Sequence, residues 1–133
     1  MRFLVVDDEI TARTLMVALL ESLGDVTEAI DGSHALEKVT AAFESLTPFD
    51  VIFLDLSMPG IDGLELIDRL REVEQRYDQP YNSRMIVVSA SRYPQDIMDA
   101  FKKQADGYLT KPVNISKLEK LLQDFSVIRE KSA

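Results

Sequence analysis

Apolar residues are spaced along this chain in two alternating ways. Phe3-Leu4-Val5-Val6, Val51-Ile52-Phe53-Leu54 and Met85-Ile86-Val87-Val88 are short unbroken runs, the signature of strands buried on both faces. Between them, apolar positions recur at helical spacing. Ala12, Leu15, Met16, Leu19 and Leu23 form one stripe, stopped by Gly24, and Leu36, Val39, Phe43 and Leu46 form a second, with Pro48 just beyond. Leu64, Ile67, Leu70 and Val73 predict a third helix, running to about Arg76. Pro94 suits the first position of a fourth, whose apolar side is Ile97, Met98 and Phe101. Asn114 is the expected cap of a fifth, with the stripe Leu118, Leu121, Leu122, Phe125 and Ile128. "DVTEAI" (25–30) and "GYLTK" (107–111) complete the set as shorter strands.

Strands separated by helices, with continuous apolar runs in the first, third and fourth, predict an α/β fold. The expected form is a doubly wound, five-stranded parallel sheet with five helices on its two faces, a three-layer sandwich. Repeats, low-complexity tracts and linkers are absent, so residues 1–133 read as one domain, with a core of about 1–127 and a tail at 128–133. "EQRYDQPYNSR" (74–84) reads as a polar connection, and "REKSA" as a fraying end.

Composition narrows the function. Fifteen basic against twenty-three acidic residues give a net charge of −8, which argues against direct nucleic-acid binding. No apolar run is long enough to span a membrane. Met1-Arg2 leads straight into the first strand, so no targeting segment is expected. Without cysteine there is no disulfide, thiol nucleophile or thiolate metal site. A cytoplasmic location is the expectation.

The polar residues at the strand ends carry the chemistry. In an open parallel sheet, ligands bind beyond the carboxyl ends of the strands. There the sequence places Asp7 and Asp8 after the first strand and Asp55 after the third. Ser89 ends the fourth and Lys111 the fifth, whereas the second ends in Ala29-Ile30 and offers no such group, as suits a strand at the side. Each has a bland explanation: acids favour a helix N-terminus, and Asp55 could open the Pro59-Gly60 turn. Their joint placement at one edge favours a site. Three converging carboxylates need compensation. A hard divalent cation held by oxygen ligands supplies it, and Mg²⁺ fits. A carboxylate nucleophile, a metal and a lysine are the parts needed to receive a phosphoryl group.

Four stretches, "VVDDE", "FLDLSMPGIDG", "VVSAS" and "GYLTKP", occur in this order on these strand ends. With them the chain resembles a response-regulator receiver domain, the phosphoacceptor module of two-component signalling, of the single-domain chemotaxis type. The resemblance implies strand order 2-1-3-4-5, as in flavodoxin-like folds. It implies that Asp55 accepts a phosphoryl group from the phosphohistidine of a sensor histidine kinase or histidine phosphotransfer protein. Asp8 and Asp55 would ligate Mg²⁺ with the Ser57 backbone carbonyl, and Asp7 directly or through water. Lys111, before an expected cis Pro112, would pair with phosphoryl oxygens, and Ser89 would donate its hydroxyl to them. Tyr108 would be the switch aromatic. Its movement would alter the face formed by the fourth helix, fifth strand and fifth helix, where a downstream target protein binds. Such a domain is a phosphoacceptor that catalyses its own phosphorylation and slow dephosphorylation, not an enzyme in the usual sense.

Ser57 and Ser91 would tune hydrolysis of the acyl phosphate. His34, the only histidine, reads as a surface residue. Three other readings remain: the N-terminal receiver of a longer regulator, a module using the fold without phosphorylation, or an aspartyl-nucleophile phosphatase. The last normally needs an acid two residues after the nucleophile, where this chain has Ser57.

Overall fold

The structure, a computed structural model, describes residues 1–77, 81–125 and 129–130. In chain order the elements are β1 (Arg2–Val6), α1 (Ile10–Leu20), β2 (Asp25–Ala29), α2 (Gly32–Glu44), β3 (Val51–Leu54) and α3 (Gly63–Arg76). There follow β4 (Tyr81–Asn82), β5 (Arg84–Ser89), α4 (Pro94–Lys102), β6 (Gly107–Thr110), α5 (Ile115–Asp124) and β7 (Arg129–Glu130). Five strands make one parallel sheet in the order β2-β1-β3-β5-β6. Counting the strands of that sheet alone, this is the expected order 2-1-3-4-5, with the expected five helices.

Alternation along the central strands divides the core. Leu4, Val6, Ile52, Leu54, Met85 and Val87 pack with Val39 and Phe43 of α2, with Leu66, Ile67 and Leu70 of α3, and with Ala100 of α4. Their neighbours Phe3, Val5, Val51, Phe53, Ile86 and Val88 face the other way, onto Met16 and Leu20 of α1 and Leu118 of α5. Each large side chain buried in this way stabilises the fold by roughly 1.5–3 kcal/mol. The caps at Asn114 and Pro94 match the sequence reading, and Asp31 and Asp62 cap α2 and α3 in addition. Asn114 accepts from the Lys117 N–H at 3.1 Å, Asp31 from His34 and Asp62 from Glu65, and Pro94 is the first residue of α4.

Several expectations are corrected. Helix α1 ends at Leu20 rather than at Gly24, and its buried residues are Met16 and Leu20; Leu15 and Leu23 are exposed. Met16 and Leu20, an i, i+4 pair, therefore rest on the sheet with Leu19 packed beside them, and the predicted stripe holds only in part. Leu46 is 74% exposed because α2 closes in a Schellman turn. Thr47 N–H donates to Ala42 O at 2.9 Å and Leu46 N–H to Phe43 O at 3.1 Å, with Leu46 left-handed at φ 58°. In α4 only Ala100 is buried, and Met98 and Phe101 face outward.

The 74–84 connection is largely structured, since α3 continues to Arg76 and Tyr81–Asn82 pair antiparallel with Arg129–Glu130. The first two residues of "REKSA" are thus a strand; Ile128 and residues 131–133 lie outside the described residues. His34 is half-buried, its Nδ1 accepting from the Ile30 N–H at 3.2 Å, which fixes the β2–α2 junction.

At the edge of the sheet opposite the strand C-termini lies a buried charge cluster that the sequence reading missed. Arg71 of α3 is 8% exposed. It donates to Glu74 Oε1 at 2.9 Å, Ser83 O at 2.8 Å, and Gln104 O and Asp106 Oδ2 at 3.0 Å each. Asp106 also accepts from the Met85 N–H at 2.9 Å. One guanidinium so ties α3 to the start of β5 and the α4–β6 turn.

Candidate functional site

Parallel pairing brings the C-terminal ends of β1, β3, β5 and β6 to one edge, with β5 and β6 running two residues further than β1 and β3. Val6 pairs with Leu54, and Ser89 with Thr110. The residues that follow these strands therefore meet. Asp7 and Asp55 are buried, at 4% and 8% exposure, and Asp8 is exposed. Each offers one carboxylate oxygen, and the three oxygens lie within 4.8 Å of one another.

Lys111 answers this charge. Its Nζ donates to Asp7 Oδ2 and to Asp55 Oδ2, both at 2.8 Å. Burial by itself would lower the lysine pKa. The hydrogen bonds and Coulombic attraction of Asp55 and Asp7 outweigh that effect and raise it above the ordinary 10.5. The backbone holds the remaining oxygens: Asp7 Oδ1 accepts from the Glu9 N–H at 3.0 Å, and Asp55 Oδ1 from the Ser57 N–H at 3.1 Å. The Lys111–Pro112 peptide is cis, as expected.

Gly63 accounts for the tight return of the β3–α3 loop. Its N–H donates to Leu56 O at 3.0 Å, and a Cβ there would lie 2.4 Å from the Asp55 carbonyl oxygen. Only glycine allows α3 to begin this close to Asp55.

Ser89 is buried, and its Oγ accepts from the Ser91 N–H at 3.1 Å. Among the described residues, no hydrogen bond joins the Ser89 hydroxyl to the three carboxylates or Lys111. Tyr108 is half-buried and donates its hydroxyl to Ser91 O at 2.9 Å. The Ser91 hydroxyl bonds to the carboxylate of Asp96 in the first turn of α4 and accepts from the Tyr93 N–H. Ser91 thereby links strand β5, the aromatic on β6 and helix α4. The acidic cluster and its lysine come together as the sequence placed them, while Ser89 and Tyr108 belong to an adjoining loop network. Ser57 is exposed at the mouth of the site.

Sequence reading missed two residues of this edge, Arg13 and Asp96. Arg13 donates to the Asp7 main-chain carbonyl at 2.9 Å and to Glu28 Oε1 at 3.0 Å. An arginine one turn after three consecutive acids, beside an apolar stripe, was the available signal. Asp96, at the third position of α4, had none beyond its place near a helix N-terminus.

The fold agrees with the comparisons to known proteins. Residues 3–123 match the family described as the response regulator receiver domain, and the chain belongs to that family. It is 38% identical over 119 residues to the nitrate/nitrite response regulator NarL of Escherichia coli K12, covering 90% of this chain and 51% of that protein. The chain thus spans about half the length of that curated relative. Among solved structures, the chemotaxis protein CheY4 of Vibrio cholerae superposes with a TM-score of 0.79 at 30% identity, covering 93% of this chain and 97% of that one. The receiver domain of the Arabidopsis thaliana histidine kinase CKI1, complexed with Mg²⁺ and BeF₃⁻, gives 0.82 at 29%, covering 94% and 89%. Receiver domains are the phosphoacceptors of two-component systems and partner with histidine kinases or phosphotransfer proteins. Among the described residues, no helix is long and apolar enough to cross a membrane.

Proposed function

We propose that this chain takes a phosphoryl group onto Asp55 from the phosphohistidine of a sensor histidine kinase or phosphotransfer protein. The observation that carries this reading is Lys111 Nζ bridging Asp7 and Asp55 at 2.8 Å each, next to the exposed carboxylate of Asp8. A carboxylate oxygen of Asp55 attacks phosphorus, the P–N bond breaks, and the imidazole leaves with the electron pair. The product is an acyl phosphate. Lys111 offers N–H donors to the transferred oxygens, exchanging them for its present carboxylate partners. The backbone N–H groups of Glu9 and Ser57 keep the two buried carboxylates aimed while this happens.

An all-oxygen donor set with one exposed member fits a hard cation. Asp7, Asp8, Asp55 and the Ser57 carbonyl would hold Mg²⁺, which when bound neutralises charge on the phosphoryl oxygens. The ion in the CKI1 receiver complex supports this. Ser57, two residues after Asp55, supplies no acid for rapid turnover, which favours a phosphoacceptor over a phosphatase.

The Ser89 hydroxyl would then donate to the phosphoryl group, pulling the β5–α4 loop inward and shifting Tyr108 through Ser91. Tyr93, Met98 and Phe101 around α4 and Ile115 on α5 are 74%, 54%, 48% and 43% exposed. These apolar side chains are the surface on which a downstream target protein would read the change. Beside Lys111, a cavity of about 290 Å³ lined by Ala12, Leu15, Val88 and Pro112 runs onto the exposed Ile10–Leu15 side of α1. That ground suits a docking phosphodonor. A cytoplasmic setting follows from such a partner.

Incubation with Mg²⁺ and a small acyl-phosphate donor, read by intact mass, should add one phosphoryl group to the wild type and none to Asp55→Asn. Unmodified wild-type protein would sink the proposal.

A further inference from the structure

Strand β1 outruns its neighbour at the residue that matters most. Asp7 N–H still donates to Ala29 O at 3.2 Å, but β2 ends there and the chain turns at Asp31 into α2. In a continued parallel ladder, a further N–H of β2 would reach the Asp7 carbonyl. The Arg13 Nη1 occupies that place at 2.9 Å, while its Nε is held by Glu28 Oε1 at 3.0 Å. The Arg13 side chain is 13% exposed, so the fork is largely shielded from water.

We infer that Arg13 is a positioning residue for the acidic site: by holding the Asp7 carbonyl, it sets where the Asp7 and Asp8 carboxylates point. The inference rests on the phosphoacceptor reading above. Besides the ladder bond from Asp7 N–H to Ala29 O, the β1–α1 bend is pinned at three points. Arg13 holds the Asp7 carbonyl, the Glu9 N–H holds Asp7 Oδ1, and Lys111 holds Asp7 Oδ2. Of these, Arg13 alone acts on the main chain and touches none of the three carboxylates of the cluster. Without it, the carbonyl of the peptide joining Asp7 to Asp8 loses the hydrogen bond that orients it. The exposed Asp8, which has no comparable anchor in the hydrogen bonds of the site, moves with that peptide.

Charge and geometry predict opposite signs, which makes the idea testable. Removing a cation beside three carboxylates would, by Coulomb's law alone, tighten binding of Mg²⁺. Loss of positioning weakens it, by about tenfold if Arg13 behaves like other outer partners of metal ligands. Mg²⁺ binding to wild type, Arg13→Met and Arg13→Lys should be measured by calorimetric titration. The backbone amide signal of Glu9 should be followed in the metal-free proteins, with thermal melting as the check on folding. We expect weaker Mg²⁺ binding and a displaced Glu9 amide in Arg13→Met. Arg13→Lys should fall between it and wild type, because an ammonium cannot serve both acceptors with the fork geometry of a guanidinium. Unchanged or tighter Mg²⁺ binding in a folded Arg13→Met protein overturns the inference, and so does an unmoved Glu9 amide. If Arg13→Met does not fold, Arg13→Lys decides by the same two readouts. Failure of the wild type to take up a phosphoryl group would overturn the phosphoacceptor reading instead, leaving the Glu9 amide as the judge of Arg13.

Discussion

Asp55 is held through its neighbours as much as through its own bonds, and Gly63 is the clearest case. A methyl group there would meet the Asp55 carbonyl oxygen at 2.4 Å, and the obstacle is backbone, which cannot swing aside. Gly63→Ala should therefore cost about 1–3 kcal/mol in urea unfolding and slow phosphoryl uptake at Asp55. A variant with wild-type stability and rate would show that the loop absorbs the methyl freely. Lys111 makes a pH prediction. Its folded pKa lies above the ordinary 10.5, so its contribution to stability is fully present below the unfolded value and is lost only as pH rises through the folded one. The stability gap between wild type and Lys111→Met should hold steady from about pH 6 to pH 9 and shrink in stronger alkali. A gap that closes within the neutral range would contradict that order of pKa values. The acids and the lysine of the candidate site were legible because each follows a strand, and an acid after a buried apolar run needs a reason. Arg13 left only the weak signal of a basic residue one turn after the acids, because its partner at the site is a main-chain carbonyl that carries no side-chain signature.

The helices show a different limit. Apolar spacing located all five, yet the stripe was right in α3, and in α5 as far as the described residues run, and partly wrong in α1, α2 and α4. A helix resting on a sheet through two or three residues leaves other apolar positions outside, as with Leu15, Met98 and Phe101. Leu46 shows how an element can end against its own sequence. It takes φ 58° in the Schellman turn after α2, where glycine is preferred, and it is exposed. Leu46→Gly should stabilise the protein by about 0.5–1 kcal/mol, the relief of left-handed strain exceeding the added freedom of the unfolded chain. A shift of the urea midpoint to higher concentration at unchanged slope is the expected result. A fall in midpoint would mean that the leucine side chain makes a contact worth more than its strain.

At the scale of the whole molecule, the fold is a device for convergence. Asp7, Asp55 and Lys111 are up to 104 positions apart in sequence, yet Lys111 hydrogen-bonds to both aspartates. If these groups hold Mg²⁺, the metal binds the folded state alone. It should then stabilise the protein by about 1.4 kcal/mol at ten times its dissociation constant. Adding Mg²⁺ should raise the thermal midpoint, a chelator should reverse the rise, and Asp8→Asn should abolish it while leaving the metal-free midpoint nearly unchanged, since Asp8 is exposed. An equal rise in Asp8→Asn would place the ion elsewhere.

The sequence by itself determined the fold class, the order of the five helices and of the five strands of the parallel sheet, and the acids and lysine of one edge, because those follow from periodicity and from where polar residues interrupt it. Tertiary structure alone decided which helix faces stay open, that Arg71 bridges three elements, and that Arg13 completes the ladder beside Asp7. Those outcomes depend on where one element's backbone ends relative to another's, a distance that no local pattern encodes.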